Sequence, residues 1–153
     1  MEEDEYRNTY QQIASVGCAF EKALTNNQAR CSYARHFCLA DREGYTCRSE
    51  ENATICSHLL KNLRDTSRFS LKLKSVGAAL PHNMEIRVQA GGLLGLQKAL
   101  AMDTTQSGPE DIRSLVDRAL QKFGKLDALP YADIVQSVAQ FKGRKRRNRQ
   151  ELD

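Results

Sequence analysis

Four cysteines stand within 26 residues, at positions 31, 38, 47 and 56, and a fifth, Cys18, precedes them. Thiolates are the natural ligands of zinc and of iron–sulfur clusters, so an iron-sulfur cluster or zinc is the chemistry this inventory suggests. The gaps of six, eight and eight residues contain no paired Cys-x-x-Cys, and neither a zinc ribbon nor a ferredoxin pattern is matched. If Cys31 and Cys38 share one regular helix, seven residues separate their α-carbons by ~10.5 Å along the axis. Sulfurs around one zinc lie within roughly 4 Å of one another. Both can then serve one zinc only if the helix starts after Cys31 or breaks between them. A multi-iron cluster is wider and relaxes the limit. The expected set is Cys31, Cys47 and Cys56, completed by Cys38 or Cys18. His58 fits less well, because two residues along a helix turn it to another face.

Each reading of these cysteines has a competitor. Cysteine is a small side chain that fills helical cores readily, and the five could simply pack. A cysteine nucleophile with a histidine base would draw on His36, His58 or His82. No cysteine stands in a recognisable nucleophile turn, so an enzyme is the less favoured class.

A second candidate is the segment 142–149, which holds six basic residues in eight. Arg144, Lys145, Arg146, Arg147 and Arg149 suit contact with nucleic acid or another polyanion through counterion release. No aromatic residue interleaves them for stacking on bases, so such binding would be unspecific. A solvated end, or contact with an acidic protein partner or with the acidic Glu2-Glu3-Asp4-Glu5 head, competes with it. Ala90-Gly91-Gly92-Leu93-Leu94-Gly95 superficially resembles a phosphate loop but lacks the Lys-Ser/Thr pair, and its spacing better fits close helix packing. Arg64, Arg68, Lys72 and Lys74 read as a solvated face, with an anion site as the alternative.

The elements that must position these residues read as helices. Tyr6, Tyr10, Ile13, Gly17, Phe20 and Leu24 recur at spacings of four and three, which predicts a first helix ending at Thr25-Asn26-Asn27. A second helix is expected over residues 28–42, with Glu43-Gly44-Tyr45 as a turn. Ser49 is placed to cap a third helix whose apolar face is Ile55, Cys56, Leu59, Leu60 and Leu63. Beyond Thr66 we expect helical continuation, with a short strand through Phe69, Leu71 and Leu73 as the alternative. Residues 76–81 form a loop, and a fourth helix runs from His82 or Asn83 to Leu100 despite its glycines, each costing roughly 1 kcal/mol against alanine. Pro109 opens a fifth, with Ile112, Leu115, Val116, Ala119, Leu120 and Phe123 as its stripe and Gly124 as its stop. Pro130 opens a sixth that uses Ile134, Val135, Val138 and Phe141 and ends by Gly143.

Composition sets the frame. The chain has 153 residues, 41% of them hydrophobic and 27% charged, which suits one globular domain. Its acidic start lacks the pattern of a secretory signal, and charges interrupt every apolar stretch, so no membrane association is expected. Without export, five cysteines point to reduced thiols or metal ligands in the cytoplasm rather than to cystines, and the Asn52-Ala53-Thr54 sequon has no role. The net charge of +4 lies in the tail, since residues 1–141 carry 17 charges of each sign.

The expectation is therefore an all-α, single-domain bundle of five to six helices over residues 1–142, with a flexible basic tail at 143–153. Helices one to three would enclose a metal ion or iron–sulfur cluster serving redox sensing, electron transfer or an accessory role. The fourth would pack across that centre through its glycines. The alternative is a helical protein- or nucleic-acid-interaction module in which the cysteines are structural and the tail makes the contact.

Overall fold

The computed structural model describes residues 2–13, 16–70, 80–101 and 111–141. They form α1 (Glu3–Ile13), α2 (Glu21–Thr25), β1 (Ala34–Leu39), β2 (Arg42–Cys47), α3 (Glu50–Ser70), α4 (His82–Ala99), α5 (Ile112–Phe123), a 3-10 turn at Leu126–Ala128 and α6 (Tyr131–Gln140). The basic tail and Pro109 lie outside the described residues, as do Leu71, Leu73 and most of the 76–81 segment.

α4 is the axis of the bundle. Its middle is apolar or small, with Val88, Ala90, Leu93 and Leu96 buried alongside Gly91, Gly92 and Gly95. The glycines explain the close approach of its neighbours. A β-carbon at Gly91 would lie 2.7 Å from the Val138 α-carbon, and one at Gly95 would collide with the Ile134 carbonyl oxygen, both on α6. At Gly92 it would lie 2.8 Å from Leu63 of α3. The intrinsic cost of glycine in a helix is thus offset by backbone contact that alanine forbids. α3, α5 and α6 close the core through Leu59, Leu60, Leu63, Ile112, Leu115, Ile134 and Val138.

Three helical expectations hold their shape. Ser49 Oγ accepts from the Asn52 N–H at 3.2 Å, and α3 continues through Phe69 to Ser70. α4 begins at His82, and α5 stops at Gly124, whose φ of 85° is the left-handed stop that glycine tolerates.

The all-α expectation is corrected. Residues 28–42 are not a helix: β1 and β2 form an antiparallel hairpin, registered from Ala34 opposite Cys47 to Leu39 opposite Arg42. Ala40, at φ 54°, turns the chain. The expected first helix is also broken, because residues 16–18 leave it and run beside β2. Cys47 N–H donates to the Val16 carbonyl at 2.9 Å and Cys18 N–H to that of Tyr45 at 3.2 Å, around a bridge from Gly17 to Thr46. Backbone pairing between distant segments overrides the helical spacing of Gly17, Phe20 and Leu24, and only α2 remains helical after it.

Candidate metal centre

The hairpin decides which thiols meet. Side chains alternate across a strand, so Ala34, His36 and Cys38 of β1 share a face with Tyr45 and Cys47 of β2, and Cys18, paired beside Tyr45, joins that face. Cys31 sits in the turn leading into β1, and Cys56 faces the same space from the second turn of α3. Cys18, Cys31, Cys47 and Cys56 all line one small recess of about 30 Å³, walled by Phe20, Tyr33, Ala34, Ala53, Ile112 and Val116. All four are partly buried and free of disulfides.

Cys38 lies elsewhere. It shares the face but stands opposite Glu43 near the hairpin tip, four residues or roughly 13 Å beyond Ala34, and is exposed. The helical spacing objection to Cys31 and Cys38 vanishes with the helix, yet the two thiols still do not meet. None of His36, His58 and His82 lines the recess. His58 instead pairs with Asp127, its Nε2 3.0 Å from Oδ1, and His36 lies beside Glu43 and the Tyr45 ring. The glycines of α4 pack on α6 and Leu63 rather than across the thiols. Arg64 is paired with Glu85 and Arg68 with Asp65; Lys72 and Lys74 lie outside the described residues.

Backbone and electrostatics around the sulfurs are asymmetric. Burial pushes the Cys18 and Cys56 thiols up to about 12 and raises Cys31 as well. The thiols also feel one another: charge on Cys18, Cys31 and Cys47 would raise Cys56 further. Opposing this, the backbone N–H of Phe20 faces the Cys18 sulfur, and those of Tyr33, Arg113 and Ala34 face that of Cys31. Amides aimed at sulfur from the residues just after a cysteine stabilise a thiolate there. Cys47 donates its thiol proton to the Ser49 carbonyl at 3.1 Å, an oxygen that also accepts the helical N–H of Ala53.

Several residues absent from the cysteine inventory hold this arrangement. Asp111 accepts from the Ser32 N–H at 2.6 Å and from its hydroxyl at 2.9 Å. Ile112 N–H donates to the Arg30 carbonyl at 2.9 Å, so the Cys31 turn is tied to α5 on both sides. Arg113 stacks over the Tyr33 ring at 3.9 Å and lines the recess. Glu21 accepts from the Tyr45 N–H at 3.1 Å and fixes the Cys18 segment against β2. Nothing in the cysteine spacing signals these tethers, which join residues up to 82 positions apart.

As the side chains stand, among the described residues no three His, Cys, Asp or Glu are arranged to hold a metal ion. The four thiols surround a space rather than a point. Compared with known proteins, the chain matches no family model, no curated sequence and no solved structure. Its own residues carry the functional reading. Among the described residues, no helix is long and apolar enough to cross a membrane.

Proposed function

We propose that Cys18, Cys31, Cys47 and Cys56 bind one metal ion, zinc or a single iron, and that the ion locks the hairpin onto the helical bundle. The observation that carries this reading is the shared recess: four thiols from four separate segments line it, and no other sulfur of the described residues does. The recess is small, about 30 Å³, and a single ion is the occupant that asks least rearrangement of its walls. Backbone amides directed at the Cys18 and Cys31 sulfurs are the outer contacts a thiolate centre uses. Burial favours the neutral thiols of Cys18, Cys31 and Cys56, and a divalent cation reverses that preference by making deprotonation favourable. Four protein ligands fill a tetrahedral ion and leave no open position for substrate, so the role is structural.

Elemental analysis of anaerobically purified protein should find one metal per chain. Serine at position 18, 31, 47 or 56 should abolish that stoichiometry and lower the thermal midpoint, whereas Cys38→Ser should change neither. Metal-free protein whose unfolding is indifferent to chelator and to added zinc refutes the reading and leaves four packed thiols. Iron accompanied by acid-labile sulfide refutes the single ion in favour of a cluster.

A further inference from the structure

Four thiolates around a divalent ion leave two negative charges in excess, held in a mostly apolar recess where they are poorly solvated. Positive charge beside them would offset that excess, and among the described residues one cation lines the recess, Arg113. Its guanidinium is fixed on one face by the Tyr33 ring at 3.9 Å, and its Nε lies 3.8 Å from an Asp117 carboxylate oxygen. Its Nη1 is buried with no hydrogen-bond partner, a costly state for a charged donor unless it has another function. Cys31 and Cys56 line the same recess as Arg113, which stands in the first turn of a helix whose positive end adds to the same field.

We infer that Arg113 is the charge partner of the centre, neutralising part of the excess charge of the metal–thiolate group and slowing metal loss. The inference rests on the four-thiolate reading above. Tyr33 and Asp117 hold the guanidinium in place, and Nη1 is the donor left over for sulfur.

The test loads wild-type, Arg113→Met and Arg113→Lys chains with cobalt(II) and follows its transfer to a chelator by the visible spectrum. Loss of an outer-shell partner typically weakens metal binding about 10–100-fold, and we expect Arg113→Met to release cobalt at least about tenfold faster. Arg113→Lys, which keeps the charge, should recover most of the retention. The four-sulfur cobalt spectrum should be the same in all three, which a collapsed site would not show. Should Arg113→Met fail to fold, Arg113→Gln carries the same comparison with lysine. Equal release from wild type and the neutral variant, or equally fast release from the lysine and neutral variants, overturns the inference and leaves the four-thiolate reading standing. A wild-type chain that takes up no cobalt overturns the reading itself.

Discussion

Glu85 is a carboxylate only 5% exposed, on the helix that forms the axis of the core. Burial pushes its pKa up, but hydrogen bonds from Arg64 and Gln89 and the charges of Arg64 and Lys22 outweigh it, and the net direction is down. Arg64 Nε donates at 2.9 Å and Gln89 Nε2 at 3.0 Å. The oxygen of Gln89 accepts from the Ala23 N–H at 3.0 Å, so the network also satisfies a free amide at the start of α2. Because the folded value lies below the unfolded one, the stabilisation is complete above the usual carboxylate range and is lost as pH falls through the lowered value. Glu85→Gln should cost about 1.5–3 kcal/mol at neutral pH and flatten the acid limb of stability against pH, measured by denaturant unfolding. An acid limb identical to wild type would show that Glu85 titrates alike in both states. At this scale the supply of thiols was readable, since cysteine is an unmistakable residue. Arg113 was not, because its place beside the thiols depends on where α5 lies.

At the scale of elements, the glycines of α4 make a sharp demand. Gly95→Ala forces a β-carbon into the Ile134 carbonyl, which is backbone and cannot rotate away. We expect a loss of about 1–3 kcal/mol in denaturant unfolding, against the gain that alanine brings in an exposed helix. A stabilised Gly95→Ala would mean that α6 shifts without cost. The packing role of these glycines was legible because nothing else offsets glycine inside a helix. The hairpin was not legible. In β1 the adjacent polar pair Arg35-His36 is followed by an unbroken run of Phe37, Cys38 and Leu39, which gives no period of two, and Ala40 is not a residue that announces a tight turn. The strands are held by each other, by residues 16–18 and by Glu21, so tertiary pairing decided a segment whose local preference is ambiguous.

For the whole molecule, the two functional expectations separate. The thiol recess belongs to the folded domain, whereas the entire net charge of +4 belongs to residues 142–153. If those residues engage phosphate backbones, removing 143–153 should abolish retention on immobilised DNA and flatten its salt dependence, while metal content stays unchanged. Retention by the shortened chain would exclude the tail.

Local order in this protein was written in its sequence: apolar stripes in α3, α5 and α6, a serine cap, a glycine stop, and the supply of thiols. The stripes and caps depend on residues three or four apart, whose interactions hold wherever no longer-range pairing overrides them. Which thiols face one another depended on a bridge between Gly17 and Thr46 and on a carboxylate at 111 holding the amide of residue 32. Contacts between residues so distant along the chain leave no periodic trace, and only the folded backbone brings them together.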